Sequence, residues 1–194
     1  MSVLKLDAVQ LGDNADATKN FTFRTNNNGT LTLARGNVGA TTQDLLTLDA
    51  AGRVAMPQTV VAFSAYLNTG QVVGTIAKIQ LGAEEFDTAN AFDSAANFRF
   101  QPAVAGYYQL FGSVQGGSAN VAMQPFIYKN GVNRKSGSFI NASGAYQTVQ
   151  IVDMVYLNGT TDYVELWGTQ SVSQAMTSGA GNGTYFQGSL IAKA

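Results

Sequence analysis

The chain contains no cysteine and no histidine. Without cysteine, neither a disulfide framework nor a thiolate site can be built. Without histidine, the commonest general base and the commonest metal ligand are both missing. Charge is also scarce: 12% of the 194 residues are charged, and the net charge is −1. No basic block exists, so the electrostatic footprint of a nucleic-acid binder is absent and no nucleic-acid partner is expected. Proline occurs three times, at Pro57, Pro102 and Pro125, each where the pattern reads as the edge or start of a strand. No stretch approaches the roughly 20 continuous apolar residues that a bilayer requires. The longest, Thr59 to Leu67, is strand-sized and interrupted by Ser64, so no membrane partner is expected. Met1 to Asp7 carries no signal-peptide core, which argues against export by a cleaved leader. An extracellular role would then need another route of release, such as cell lysis.

What is present excludes disorder. Apolar residues make up 45% of the chain, and 11 Phe and 8 Tyr are spread along it. Helical signals are almost missing. Gly, Asn, Thr and Ser punctuate the sequence about every 8–12 residues, with β-branched and aromatic runs between them, which reads as an all-β sandwich or barrel. A composition shift near Pro57-Gln58 divides the chain into a small module over residues 1–58 and a head over residues 59–194. In the module, Phe21 and Phe23 alternate with Thr22 and Arg24, and Asn26-Asn27-Asn28-Gly29 supplies a turn tolerant of positive φ. Leu31 and Leu33 resume the alternation. A second hairpin runs through Leu46 and Leu48, turns at Asp49-Ala50-Ala51-Gly52, and returns through Val54 and Met56. So few apolar side chains make a marginal domain, which needs other copies of itself or a host surface.

In the head, strands are predicted over 60–67, 78–81, 97–100 with Phe98 and Phe100 on one face, 106–114, 125–129, 132–135, 147–157, 162–168 and 185–192. Phe92 is placed in the loop before Phe98. Asn130-Gly131 is the clearest type I′ hairpin signal, and Asn158-Gly159 marks a further turn. Alternation puts Tyr107 and Tyr108 on opposite faces.

Catalytic chemistry finds few parts. Serine catalysis lacks a histidine base, and no Gly-x-Ser-x-Gly elbow exists. Glu84, Glu85, Asp87 and Asp93 cluster in sequence as two-carboxylate glycoside hydrolysis would require, but solvated loop carboxylates are the commoner reading. Asp87, Asn90 and Asp93 could supply oxygen ligands to Ca²⁺, as could Asp13 to Asp16; neither has EF-hand spacing, and Asp/Asn turns are favoured. Gly179-Ala180-Gly181-Asn182-Gly183 lacks the Lys-Ser/Thr ending of a phosphate loop. No cofactor is expected, and the chain is read as a non-enzyme.

Several pieces occur in a family's order. They are Val61-Ala62-Phe63-Ser64-Ala65, Phe86-Asp87, Phe98-Arg99-Phe100-Gln101-Pro102, Gly106-Tyr107-Tyr108 and Tyr128-Lys129-Asn130-Gly131, then Asp162 to Leu166 and Tyr185 to Ile191. Together they resemble the globular head of complement component one-q, which belongs with the tumour-necrosis-factor-like jelly rolls. Asn97 stands where that family often has glycine. The resemblance implies a ten-strand jelly-roll sandwich and a homotrimer, with Phe63, Tyr66, Tyr108 and Phe111 as trimer contacts. Val9-Gln10-Leu11-Gly12, Asn20-Phe21-Thr22-Phe23, Leu33 to Asn37 and Leu46 to Val54 are similar to modules of bacteriophage fibre and head-surface proteins.

The expectation is therefore a non-enzymatic structural protein on the outer surface of a phage particle, assembled in the host cytoplasm. It would act as a capsid decoration or cement protein, or as a short head fibre, with the major capsid protein or another virion protein as partner. The alternative is a receptor-binding tail-fibre tip that adheres to a host surface glycan or protein. Exposed loops would then carry the contact through Gly117, Ser118, Asn120, Ser173, Gln174 and Asn182.

Overall fold

The computed structural model describes residues 8–16, 19–25, 29–38, 40–55, 60–181 and 183–194. The expected turn at Asn26 to Asn28, the expected boundary at Pro57-Gln58, and Met56 and Asn182 lie outside the described residues. The chain divides into two compact units, residues 1–59 and 60–194. Among the described residues no helix is long and apolar enough to cross a membrane.

The first unit is an antiparallel meander of five strands in sequence order: β1 (Ala8–Leu11), β2 (Phe21–Thr25), β3 (Leu31–Asn37), β4 (Ala40–Leu48) and β5 (Val54–Ala55). Both expected hairpins form. Phe23 pairs with Leu33, and Leu48 with Val54. The Asp49 carboxylate closes the second turn by accepting the backbone N–H of Ala51 and Arg53 and the Arg53 side chain. Gly52 supplies the positive φ that the turn needs. Side-chain alternation sorts the sheet into two faces. Thr22, Thr32 and Ala34 are buried on one face. The pairing lines up Val9, Phe23, Leu33 and Leu46 as a row across the other, where Val9 and Phe23 stay exposed.

The second unit is a β sandwich. Its strands are β6 (Ala62–Tyr66), β7 (Val72–Val73), β8 (Ala77–Lys78), β9 (Ala83–Asp87), β10 (Phe92–Asp93), β11 (Arg99–Phe100), β12 (Gly106–Gln115), β13 (Val121–Lys129), β14 (Val132–Ser136), β15 (Ile140–Ala142), β16 (Thr148–Leu157), β17 (Val164–Gln170), β18 (Gln174–Ala175) and β19 (Tyr185–Lys193). One sheet has the order β16-β12-β19-β6-β9. The other runs β10-β11-β17-β13-β14, with β8 and β15 added on β17 and β13. A short β18-β7 pair completes the unit.

The core lies between these sheets. Phe63 stacks on Phe100 at 4.3 Å and on Phe92 at 5.2 Å, with Phe186 edge-on at 5.3 Å. Tyr108 meets Phe100 edge-on at 5.5 Å. Phe63, Tyr108 and Phe186 come from the first sheet, Phe92 and Phe100 from the second, so the rings join the two layers. Gly112 lets the sheets close further, because a Cβ there would stand 2.6 Å from Leu166 Cδ1 and 2.9 Å from Ile151 Cγ2.

Three expectations are corrected here. Phe92 is not a loop residue: it pairs with Phe100 and points into the core. Phe98 does not share a strand face with Phe100, because a left-handed backbone (φ 49°) ends the alternation and Arg99 begins the strand. The expected strand over 78–81 shrinks to Ala77–Lys78, although Ile79 and Leu81 are fully buried. Asn130 and Gly131 both take positive φ, as a type I′ hairpin requires, and Lys129 pairs with Val132.

Replacing Phe63 by alanine is expected to cost about 3–5 kcal/mol, the range for a large buried aromatic. Urea unfolding of the intact chain checks this as a lowered midpoint at unchanged slope.

Candidate functional site

The outward face of the β16-β12-β19-β6-β9 sheet exposes a run of apolar and aromatic side chains. Strand β16 alternates without a break. Val149, Ile151, Val155 and Leu157 point into the core, while Gln150, Val152, Met154 and Tyr156 point out. Pairing sets Tyr107 beside Tyr156, Gln109 beside Met154 and Phe111 beside Val152. The rings of Tyr107 and Tyr156 lie 5.6 Å apart, and Phe111 stacks on Tyr185 at 6.1 Å. Met154 is 55% exposed, and Tyr107, Val152, Tyr156 and Phe86 are each at least 40% exposed. None of the outward side chains on β12 or β16 is charged. A hollow of about 370 Å³ lies between Phe86 and Phe111, floored by Gln109 and Gln187. Contiguous apolar surface of this kind is what a subunit contact covers.

Of the four residues expected at a trimer contact, Phe111 and Tyr66 turn to this outward face and Phe63 and Tyr108 do not. Phe111 and Tyr66 are half-buried, and Phe111 lies on this face. Phe63 and Tyr108 are fully buried inside the protomer, because the side-chain period of two turns them into the core. Burial pushes the Tyr108 phenol up to about 12, and its hydroxyl donates to the Val104 carbonyl at 2.7 Å. Alternation puts one of Tyr107 and Tyr108 outward, and Tyr107 is that one; sequence reasoning missed Val152, Met154, Tyr156 and Phe86. The strict alternation through β16 was the available signal for three of them.

The expected binding loops lie side by side. Gly116 bridges to Met176, and a Cβ on Gly117 would lie 3.5 Å from the Ala175 carbonyl. Gly117 and Ser118 are half-buried, Asn120 is exposed with positive φ, and Ser173 is exposed beside Gly74. Gln174 is not a free loop residue: it pairs with Val73 in β18, and its carbonyl accepts from Gln170 Nε2.

The candidate calcium ligands have other work. Asp87 accepts the backbone N–H of Ala89, Ala91 and Phe92. Asp93 accepts those of Ala95 and Ala96, and also Asn97 Nδ2 at 2.6 Å. Both carboxylates are turned onto their own turns, and Asn90 supplies a left-handed bend. Among the described residues no three His, Cys, Asp or Glu side chains converge on a cation-sized space. Glu85 accepts from Ser64 Oγ at 2.8 Å.

No family model and no curated protein matches this chain. Solved structures do match, and they define the class of fold: a jelly roll of the tumour-necrosis-factor and complement type. Murine APRIL is 10% identical, with a TM-score of 0.55 over 68% of this chain and 99% of its own. The zebrafish complement 1qA globular domain is 15% identical, with a TM-score of 0.50 over 70% of this chain and 99% of its own. Eiger TNF from S. frugiperda is 10% identical, with a TM-score of 0.53 over 71% of this chain and 96% of its own.

Acid should loosen the head's turns. Backbone donation from Ala96 and the Asn97 amide hold the Asp93 carboxyl down to about 2, against an ordinary 3.8. Lys129 and Asn130 likewise lower Asp162. A carboxyl depressed on folding contributes stability that is complete above its unfolded value and lost as pH falls through its folded one. Thermal midpoints are therefore expected to fall between pH 3.8 and about 2, and Asp93→Asn is expected to flatten that fall.

Proposed function

We propose that this chain is a non-enzymatic structural protein that works as a homotrimer on the outer surface of a bacteriophage particle. The observation that carries the trimer is the bare outward face of β12, β16 and β19. Each protomer leaves Tyr107, Val152, Met154 and Tyr156 in water, and no outward side chain of β12 or β16 is charged. A face of this chemistry is covered at low cost by sister copies. The jelly-roll fold supports the reading, since its layered sandwich offers a flat sheet for such packing.

The particle assignment rests on the N-terminal unit. Its five-stranded sheet exposes Val9, Phe21, Phe23, Leu31 and Val54. An isolated sheet with one apolar face open is marginal, so this unit takes its cover from sister modules or from the particle surface. The sequence resemblance to phage fibre and head-surface modules favours the particle. The chain would serve there as a decoration or cement protein or a short head fibre, bound to the major capsid protein or another virion protein and assembled in the host cytoplasm. A second reading, adhesion to a host surface, is favoured by a neutral groove on the head lined by Gln71, Gln80 and Phe98.

Light scattering on the eluted protein at about 10 μM is expected to give the mass of three chains. Met154→Glu places a charge on the contact and is expected to give a monomer with unchanged β circular dichroism. A folded wild-type monomer would refute the trimer. Antibody labelling of intact particles is expected to mark the head, and gene deletion to lower particle survival on heating. Label on the tail alone would move the protein to the adhesion reading.

A further inference from the structure

The head carries a second concave surface, chemically unlike the bare face. The connections β6–β7, β8–β9 and β10–β11 meet around a groove of about 510 Å³. Asn68, Thr69, Gln71, Gln80 and Ser94 supply its polar lining and Phe98 its aromatic wall, and among the described residues no ionisable side chain lines it. Gln71 is the frame: its Nε2 donates to the Lys78 carbonyl, and its Oε1 accepts the Gln80 N–H, both at 2.8 Å. Among the described residues, the hydroxyls of Thr69 and Ser94 and the amide of Gln80 bond to no other side chain or backbone group. Their hydrogen-bonding capacity is open to the groove.

Phe98 is held there against its own backbone preference. A bulky residue at φ 49° is an outlier, and such conformations persist where the surroundings over-determine them. Here they do. The Asp93 carboxylate fixes the turn by accepting from Ala95, Ala96 and Asn97. Lys78 Nζ donates to the Asn97 carbonyl at 2.9 Å from the facing strand and pairs with Glu165 at 3.1 Å. Immediately after Phe98, Arg99 and Phe100 enter the sheet, with Phe100 in the core. The turn thus presents a half-exposed ring to the groove rather than burying it.

The geometry points to a neutral saccharide site, a pyranose stacked on Phe98 with its hydroxyls bonded by Gln80, Ser94, Thr69 and Asn68. The absence of charge in the lining disfavours phosphates, nucleotides and acidic sugars, whose charge would go unpaired. The density of amides and hydroxyls disfavours a lipid chain. An aromatic ring with convergent amides and hydroxyls matches the apolar C–H face and equatorial hydroxyls of a hexose. The volume exceeds what one hexose fills, so the groove has room for a short oligosaccharide. This site deepens the adhesion reading and rests on it only for the source of the sugar.

Saturation-transfer NMR on the full chain with methyl α-glucoside, methyl α-mannoside and methyl β-galactoside tests it. At least one is expected to bind with a dissociation constant on the order of 1 mM. Phe98→Gly removes the ring and accepts the left-handed backbone without strain. It is expected to weaken binding about tenfold or more while holding or raising the thermal midpoint. Gln80→Ala is expected to weaken binding with no change in midpoint. The site is overturned if none of the three sugars shows transfer at about 10 mM, or if both variants bind like the wild type. It is equally overturned if Phe98→Gly lowers the midpoint while Gln80→Ala leaves binding intact, which would make the ring a packing element. Adhesion of the purified wild-type protein to host cells is scored separately. Sugar binding without adhesion removes the adhesion reading and keeps the site; adhesion with no saturation transfer to any of the three sugars removes the site and keeps the adhesion reading.

Discussion

The stack of Phe63 on Phe100 across the sandwich is the contact on which the rest of the head depends. It ties β6 to β11, and Phe92, Phe186 and Tyr108 close around it. Side chains along a strand alternate with a period of two, so fixing the inward set fixes the outward set as well. Burying Tyr108 leaves Tyr107 outside. Burying Val155 and Leu157 leaves Met154 and Tyr156 in water. The apolar outer face is the register's other half, and a one-residue slip that hid it would empty the core.

The fold was largely legible because long strands rich in apolar and aromatic residues, one of them strictly alternating, carry it. Gly106 to Val114, Gln147 to Leu157 and Tyr185 to Ala192 were readable to within a residue or two, and Asn130-Gly131 turns as its composition requires. Legibility ended where a polar side chain, not a periodic apolar one, sets the backbone. The Asp93 staple and the left-handed Phe98 cannot be seen in an alternation count, and so Phe98 was assigned the wrong face and Phe92 the wrong element. The outward face was half legible. Phe111 follows from its strand, whereas Phe63 and Tyr108 lie in the core, because aromatic residues seat themselves in cores as readily as at surfaces. The side chains around the groove come from three separate connections, and nothing in their sequence spacing announces that they meet.

The few charges are spent on architecture. Asp162 accepts from Asn130 Nδ2 and pairs with Lys129, which binds the tip of the β13–β14 hairpin to the turn before β17. Glu165, nearly buried, takes both Lys78 and the Trp167 indole. Arg99 lies over the Tyr163 ring at 4.3 Å. With these groups engaged on the β10-β11-β17-β13-β14 sheet, the opposite sheet is left nearly neutral over its central strands. The two outer surfaces thereby acquire different chemistry from one low-charge sequence.

Asp153 has a consequence for growth. It points inward from β16, the border strand of its sheet, and binds Arg134 at 2.6 Å and Lys135 at 3.3 Å across the mouth of the sandwich. Arg134 also donates to the Met154 carbonyl, occupying part of the ladder that a further strand would use. A border guarded in this way resists strand-by-strand extension into fibrils. A head whose border strand is occupied in this way can crowd at high local concentration without polymerising strand by strand.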